Sequence, residues 1–161
     1  MKIAFYIVLA AIVLALVAAQ FGLLSGQRPG DLGVKDGRLK LPSVTRNSVS
    51  SHAAQLPDHP QRAYASIDPL PFKAGGAGAS LKALETVLGA MPGVTIVEQR
   101  TDYLYAQAQT RWLKFVDDME FWANPASGVI ELRSASRLGR EDFGVNRQRI
   151  EKIRAAYLAA P

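Results

Sequence analysis

The stretch FVDDMEFWANPASGVIELRSASR, residues 115–137, holds two runs of alternating apolar and polar side chains, separated by Asn124, Pro125, Ala126, Ser127 and Gly128. Period-two alternation marks a strand, and Asn, Pro, Ser and Gly are the residues a tight reversal needs, so the stretch predicts an antiparallel hairpin. Successive strand side chains point to opposite faces. Asp117 therefore shares a side with Met119 and Phe121, while Asp118 and Glu120 face the other way; the adjacent aspartates cannot act as one dyad. Placing Phe121 opposite Ile130 brings Met119 to Leu132, Asp117 to Ser134 and Asp118 to Arg133.

Working outward, VTIVEQR (94–100) and DYLYAQAQTR (102–111) alternate in the same way and are joined by short polar links, which predicts a four-stranded antiparallel meander. RAYASIDPLPF (62–72) could add an edge strand. Ser80 can cap a helix with Leu81, Leu84, Leu88 and Met91 on one stripe, stopped by Pro92 and Gly93. A closing helix starts near Asp142 as cap and presents Asn146, Ile150, Ile153 and Tyr157 on one side. The expected fold class is α+β: a four-stranded antiparallel meander sheet with two helices packed on one face, preceded by an N-terminal transmembrane helix and an extended linker. Parity places Val94, Ile96, Leu104, Ala106, Met119, Phe121, Ile130 and Leu132 in the core. Tyr103, Tyr105, Asp118, Glu120, Trp122, Arg133 and Arg137 fall on the other face, expected to lie open as a partner or ligand surface, with Gln107, Gln109 and Glu131 beside them.

Before this domain, residues 3–24 carry no charge and a single amide, Gln20. A helix of that length spans about 33 Å against a hydrocarbon core of about 30 Å. Lys2 ahead of the block and Val17, Ala18 and Ala19 near its end also suit a cleaved signal peptide, although the apolar run is longer than such peptides use. Basic residues after the span, Arg28, Lys35, Arg38 and Lys40, would hold the domain inside on strict counting. Short N-terminal anchors nonetheless usually export the domain behind them, so the expected location is the bacterial inner membrane, single pass, with a periplasmic domain, or the periplasm itself after cleavage. Residues 27–61 are rich in Gly, Pro, Ser and Asp without a sustained period and read as an extended tether, able to lie against the domain. The organisation expected is an anchor or signal peptide over 1–26, a tether over 27–61 and an α+β domain over 62–161.

Composition narrows the chemistry. The 161 residues are 48% hydrophobic and 20% charged, with 19 Lys plus Arg against 14 Asp plus Glu and a formal charge of +5. The excess is scattered, so nucleic acid is not an expected partner. The absence of cysteine excludes disulfides, thiolate metal sites and a cysteine nucleophile. His52 and His59 have no third ligand at a recognisable spacing, and GGAG at 75–78 is not followed by the Lys-Ser/Thr of a phosphate loop. No metal or cofactor is expected. Asp117, Ser134, Ser136 and Asn146 converge at the end of the core as a polar cluster, because a buried carboxylate needs partners that hydroxyls and an amide can supply.

Three stretches carry a family resemblance: residues 28–51, FVDDMEF at 115–121, and RSASRLGREDFGVNRQRIE at 133–151. Together the chain resembles the bacterial domain of unknown function 1499 family over roughly residues 28–158. The family pattern falls on Asp117 and Asp118, on Arg133, Ser134, Ser136 and Arg137, and on Gly144, Asn146 and Arg149. Similar proteins often carry cysteines where this chain has Leu41 and Ser48, so no thiol role there can operate here. The resemblance implies one folded unit and assigns no activity. The expected function is that of a membrane-anchored envelope protein whose soluble domain binds a protein or small-molecule partner without catalysis. The alternatives are a hydrolase-like enzyme using Asp117 with Ser134 or Ser136, for which a mid-strand serine lacks an evident base, and a peripheral lipid-binding domain.

Overall fold

A computed structural model describes residues 1–160 and orders them as α1 (Lys2–Gln20), β1 (Ser48–Ser50), a 3-10 turn (Ala53–Gln55), α2 (Arg62–Ala65), β2 (Leu70–Pro71), α3 (Gly76–Gly89), β3 (Val94–Gln99), β4 (Tyr103–Gln109), β5 (Val116–Asn124), β6 (Val129–Ser136) and α4 (Val145–Ala159). The fold is α+β with an antiparallel sheet, which has six strands rather than four. Strands β3 to β6 form the meander, and β1 and β2 both pair with the outer edge of β6. Two- and three-residue strands are too short to display a period, which is why the sequence hides them. Pro71 is tolerated in β2 because an edge strand can do without one N–H donor.

The hairpin pairs Phe121 with Leu132, Met119 with Ser134, Asp117 with Ser136 and Glu120 with Arg133, two residues away from the expected register; Asp118 faces Ala135, not Arg133. The strands stay paired out to Asn124 and Val129, leaving four residues for the turn. Asn124 closes it: Oδ1 accepts from the Ala126 N–H and its carbonyl from the Gly128 N–H, both at 3.0 Å, with Gly128 at φ 68°. A two-residue slip keeps every side chain on its face and changes only its partner.

Helices α3 and α4 cover one face. Leu84, Leu88, Ile150, Ile153 and Tyr157 meet Leu104, Met119, Phe121 and Leu132 with no side chain left exposed, each worth about 1.5–3 kcal/mol of burial. Val94 and Ile96 are only half-buried, because β3 is an edge strand that bulges between Ile96 and Glu98. Ser80 lies inside α3, which begins at Gly76; its Oγ accepts from Lys73 N–H and donates to the Gly76 carbonyl. Helix α4 begins at Val145, not Asp142. The Asp142 carboxylate still does a cap's work, accepting from the N–H groups of Gly144 and Asn146.

The second sheet face is not open. Residues 26–41 cross it as a strap, with Leu39 buried on Tyr103, Tyr105 and Trp122, and Leu32 and Val34 beside it. A tether able to lie against the domain is what the sequence allows; its course is not written there, because a few apolar side chains and backbone hydrogen bonds leave no sustained period to read. Helix α1 is different: of its residues only Ala19 is buried, and its mean hydropathy of 2.6 over a membrane-length window makes it apolar and long enough to cross a bilayer, a test that a signal sequence also passes.

Candidate functional site

Strand β5 sends its two aspartates apart, as alternation requires, into two polar networks on opposite faces. Beneath the strap, Glu120 accepts from the Gly33 N–H at 2.7 Å, the Tyr103 hydroxyl at 3.0 Å and Arg133 Nη1 at 3.4 Å. Asp118 accepts from Tyr105 at 2.6 Å and from Arg137 through Nε and Nη2 at 2.9 and 2.8 Å. The arginines then reach the strap itself: Arg133 Nε donates to the Leu41 carbonyl and Arg137 Nη1 to that of Gly26. Gly26 sits at φ 65°, where a Cβ would come within 2.7 Å of Arg137 Cβ, so close approach of the strap depends on its missing side chain.

Burial and the Glu120 charge push the Tyr103 phenol well up, and burial with Asp118 does the same to Tyr105. Burial pulls Arg133 down against the opposing pull of Glu120, while the hydrogen bond to Asp118 holds Arg137 up. Each charge has a countercharge and hydrogen bonds, which is what a buried ion pair requires. Tyr103, Tyr105, Asp118, Glu120, Trp122 and Arg133, expected on an open recognition face, are thus inaccessible members of a fixed lattice. A strand side chain can reach a partner only if nothing covers its face, and the strap covers this one.

On the helix side, Asn146 is the hub. Its Oδ1 accepts from Ser134 Oγ and from Arg149 Nη1, and its Nδ2 donates to Ser136 Oγ at 3.0 Å and to Asp142 Oδ2 at 2.7 Å. Arg149 Nη2 in turn donates to Asp117 at 2.6 Å. The four residues read from the sequence, Asp117, Ser134, Ser136 and Asn146, do meet, with Asp117 joined through Arg149. Sequence reasoning missed Arg149, Asp142 and Tyr64 as members. Arg149 and Asp142 stand three residues after and four before Asn146, a spacing that puts them on one helical side. Tyr64, whose hydroxyl donates to Asp142, is 78 residues away and carries no such signal. Burial opposes the charge on Asp142, yet hydrogen bonds from Tyr64, Asn146 and the backbone hold it below the usual carboxylate range. Burial and Asp142 push the Tyr64 phenol up to about 12.

Above this network opens a cleft of about 350 Å³. Asp117, Ser136 and Asp142 line it with hydrogen-bonding groups, and Phe115, Leu138, Phe143 and Val145 line it with apolar ones that stay exposed. Phe143 is 86% exposed and held at φ 53°, an unusual backbone for a bulky residue. A hydrogen-bonding floor beneath an apolar rim suits a small amphipathic ligand. Nucleophilic chemistry fits poorly. Ser134 donates to Asn146, His52 lies 3.9 Å from Glu131, and His59 bonds the Pro42 carbonyl, so neither imidazole serves Ser134 or Ser136. Among the described residues no three His, Asp or Glu side chains gather as metal ligands.

A family model described as a protein of unknown function, DUF1499, matches residues 38–157, most of the chain. The chain belongs to the DUF1499 family. No curated protein matches the chain. The DUF1499 match takes in the end of the strap, the sheet, both covering helices and every member of the Asn146 network, and leaves out α1. Leu41 and Ser48, within the matched residues, have hydrogen-bonding duties: the Leu41 carbonyl serves Arg133, and Ser48 Oγ accepts from the Ser43 N–H at 2.7 Å.

Proposed function

We propose that this protein is a single-pass membrane protein whose DUF1499 domain is a non-catalytic binding module, with the cleft between Asp117 and Phe143 as its ligand or partner site. The observation that carries this reading is the cleft itself: its polar floor is pre-organised by the Asn146 and Arg149 network, and its apolar rim is left uncovered. Pre-organised polar groups bind without first being ordered, and a shallow amphipathic cleft rewards a molecule with a small polar head and a short apolar tail. The apolar α1 would hold the domain at the inner membrane on the periplasmic side. Thermal unfolding of the full chain in detergent, with decanoic acid, decylamine or decanol as probes, tests the site. One head-group class should raise Tm saturably, and Ser136→Leu, which fills the floor, should remove the rise. No shift with any probe, or a shift unaffected by Ser136→Leu, would overturn the assignment.

The hydrolase reading keeps one supporting observation, that Ser136 lines the cleft beside Asp117. Turnover of p-nitrophenyl butyrate by the full chain, lost in Ser136→Ala with the fold intact, would replace binding by catalysis.

A further inference from the structure

We infer that the end of the sheet beside α1 is a membrane-docking surface, which seats the domain on anionic phospholipid headgroups of the bilayer; this rests on the proposed reading of α1 as a membrane span. Its place in the molecule is the first argument. Gln20, the last residue of α1, donates Nε2 to the Trp112 carbonyl at 3.3 Å, and a Cβ on Gly26 would lie 3.1 Å from Leu138 Cγ. The tips at 110–115 and 137–145 therefore stand where α1 ends. Only residues 21–25 separate α1 from the strap, at most about 17 Å of extended chain, so this end stays near the interface.

Its surface chemistry is the second argument. Trp112 is 65% exposed, and with Phe143, Leu138, Phe115 and Val145 it makes an uncovered apolar set at one end of the domain. Aromatic side chains favour the headgroup level of a bilayer, where an apolar body and a polar edge are both satisfied. The opposite end, the β5–β6 turn at 125–128, is exposed but built from Pro, Ala, Ser and Gly.

Charge is the third. The Arg111 guanidinium stacks 4.9 Å from the Trp112 ring. Arg111 and Lys114, with Thr95, Thr110 and Gly93, line a second groove of about 420 Å³, adjoining the cleft through Thr110 and roomy enough for a phosphate headgroup. Arg140 is exposed in the second tip. Of the nearby acids, Glu141 pairs with Arg46 at 3.1 Å and Asp117 with Arg149, while Asp142, held by Tyr64, Asn146 and backbone N–H groups, sets one negative charge against Arg111, Lys114 and Arg140. The field this end presents is therefore positive, and basic residues near an anionic leaflet favour attachment by roughly fivefold each.

The chain has no cysteine, so single-cysteine variants of the full chain report one position at a time. Nitroxide labels at Leu14→Cys, Phe143→Cys and Ala126→Cys, in proteoliposomes of phosphatidylcholine with one quarter phosphatidylglycerol, give depth from oxygen against nickel-chelate accessibility. Leu14 should report hydrocarbon, position 143 the headgroup layer, and Ala126 water. Arg111→Glu with Lys114→Glu should lower the docked population by at least about 25-fold and leave the Leu14 depth unchanged. Quenching of Trp112 by brominated lipid in a Trp122→Phe background reads the same contact without altering Phe143. A label at 143 as wet as that at 126, or an unquenched Trp112, overturns docking while a lipid-buried Leu14 keeps the anchor. A wet Leu14 overturns the anchor and the docking with it.

Discussion

The two faces of this sheet are buried by opposite means. On one, two helices lay leucine, isoleucine and tyrosine against the strands, and dispersion and dehydration hold them there. On the other, an irregular strap is tied down by Glu120, Arg133 and Arg137, whose hydrogen bonds run into the strap backbone, with Asp118 holding Arg137 in place. Over its apolar part the helical face needs volume and is indifferent to direction. The strap face needs direction, because each buried charge is satisfied by one geometry and stranded by any other. The comparison teaches that an extended segment without a hydrophobic stripe can still cover a sheet, provided the sheet supplies buried charge for its peptide groups.

The sharpest way to break the comparison is to strand a charge. Arg133→Met leaves Glu120 buried with two neutral donors, and the loss in unfolding free energy is expected at about 3–5 kcal/mol, measured by denaturant titration of the full chain. Glu120→Leu combined with Arg133→Met should restore much of that loss, because the cost lies in the unpaired ion. A double variant no better than the single would mean that the pair itself carries the strap.

Leu84→Ala is the matching change on the helical face, with an expected loss of about 2–5 kcal/mol from transfer and cavity terms. Leu84 and Arg133 share no partner across the sheet, so the two losses should add to within about 0.5 kcal/mol; a larger coupling would show that the faces are one unit. Tyr105→Phe is milder. It removes the donor to Asp118 and the acceptor for Gln107 and Arg137 while the Arg137–Asp118 pair stays, and losing these hydrogen bonds should cost about 1.5–3 kcal/mol.

The smallest effect is one of slope and belongs to the polar end of the helical face. Asp142 has a folded value below its ordinary 3.8, so its contribution is fully present above that value and is lost as pH falls through the lowered folded value. Asp142→Asn, which keeps an acceptor for the Gly144 N–H but gives up the carboxylate that Asn146 donates to, should lower stability modestly at neutral pH and flatten the stability curve below about pH 4. An unaltered acid slope would remove Asp142 from the groups that link folding to protons.

Much of the site was readable where its spacing was local. Asp117 and Asp118 had to part because strand geometry allows nothing else. Asn146, Ile150, Ile153 and Tyr157 had to share a helical side. The partners were not readable, since Glu120 with Arg133 and Asp117 with Ser136 depend on how far the hairpin stays paired, and that is set by Asn124 closing a four-residue turn. Tyr64 beside Asp142 and Gly33 beside Glu120 join residues 78 and 87 apart, and no periodicity encodes such contacts.

By itself the sequence determined the membership of the DUF1499 family, the antiparallel meander, the two amphipathic helices and an N-terminal helix apolar enough for a bilayer. Each is written in residue types at short, regular intervals, and short-range sterics turn such intervals into structure. Tertiary structure alone decided that β1 and β2 complete the sheet, that the strap closes its second face, and that the exposed aromatic tips gather where α1 ends. Those outcomes depend on long-range backbone hydrogen bonds and ion pairs, whose partners are chosen by the assembled fold and leave no mark on the spacing of the chain.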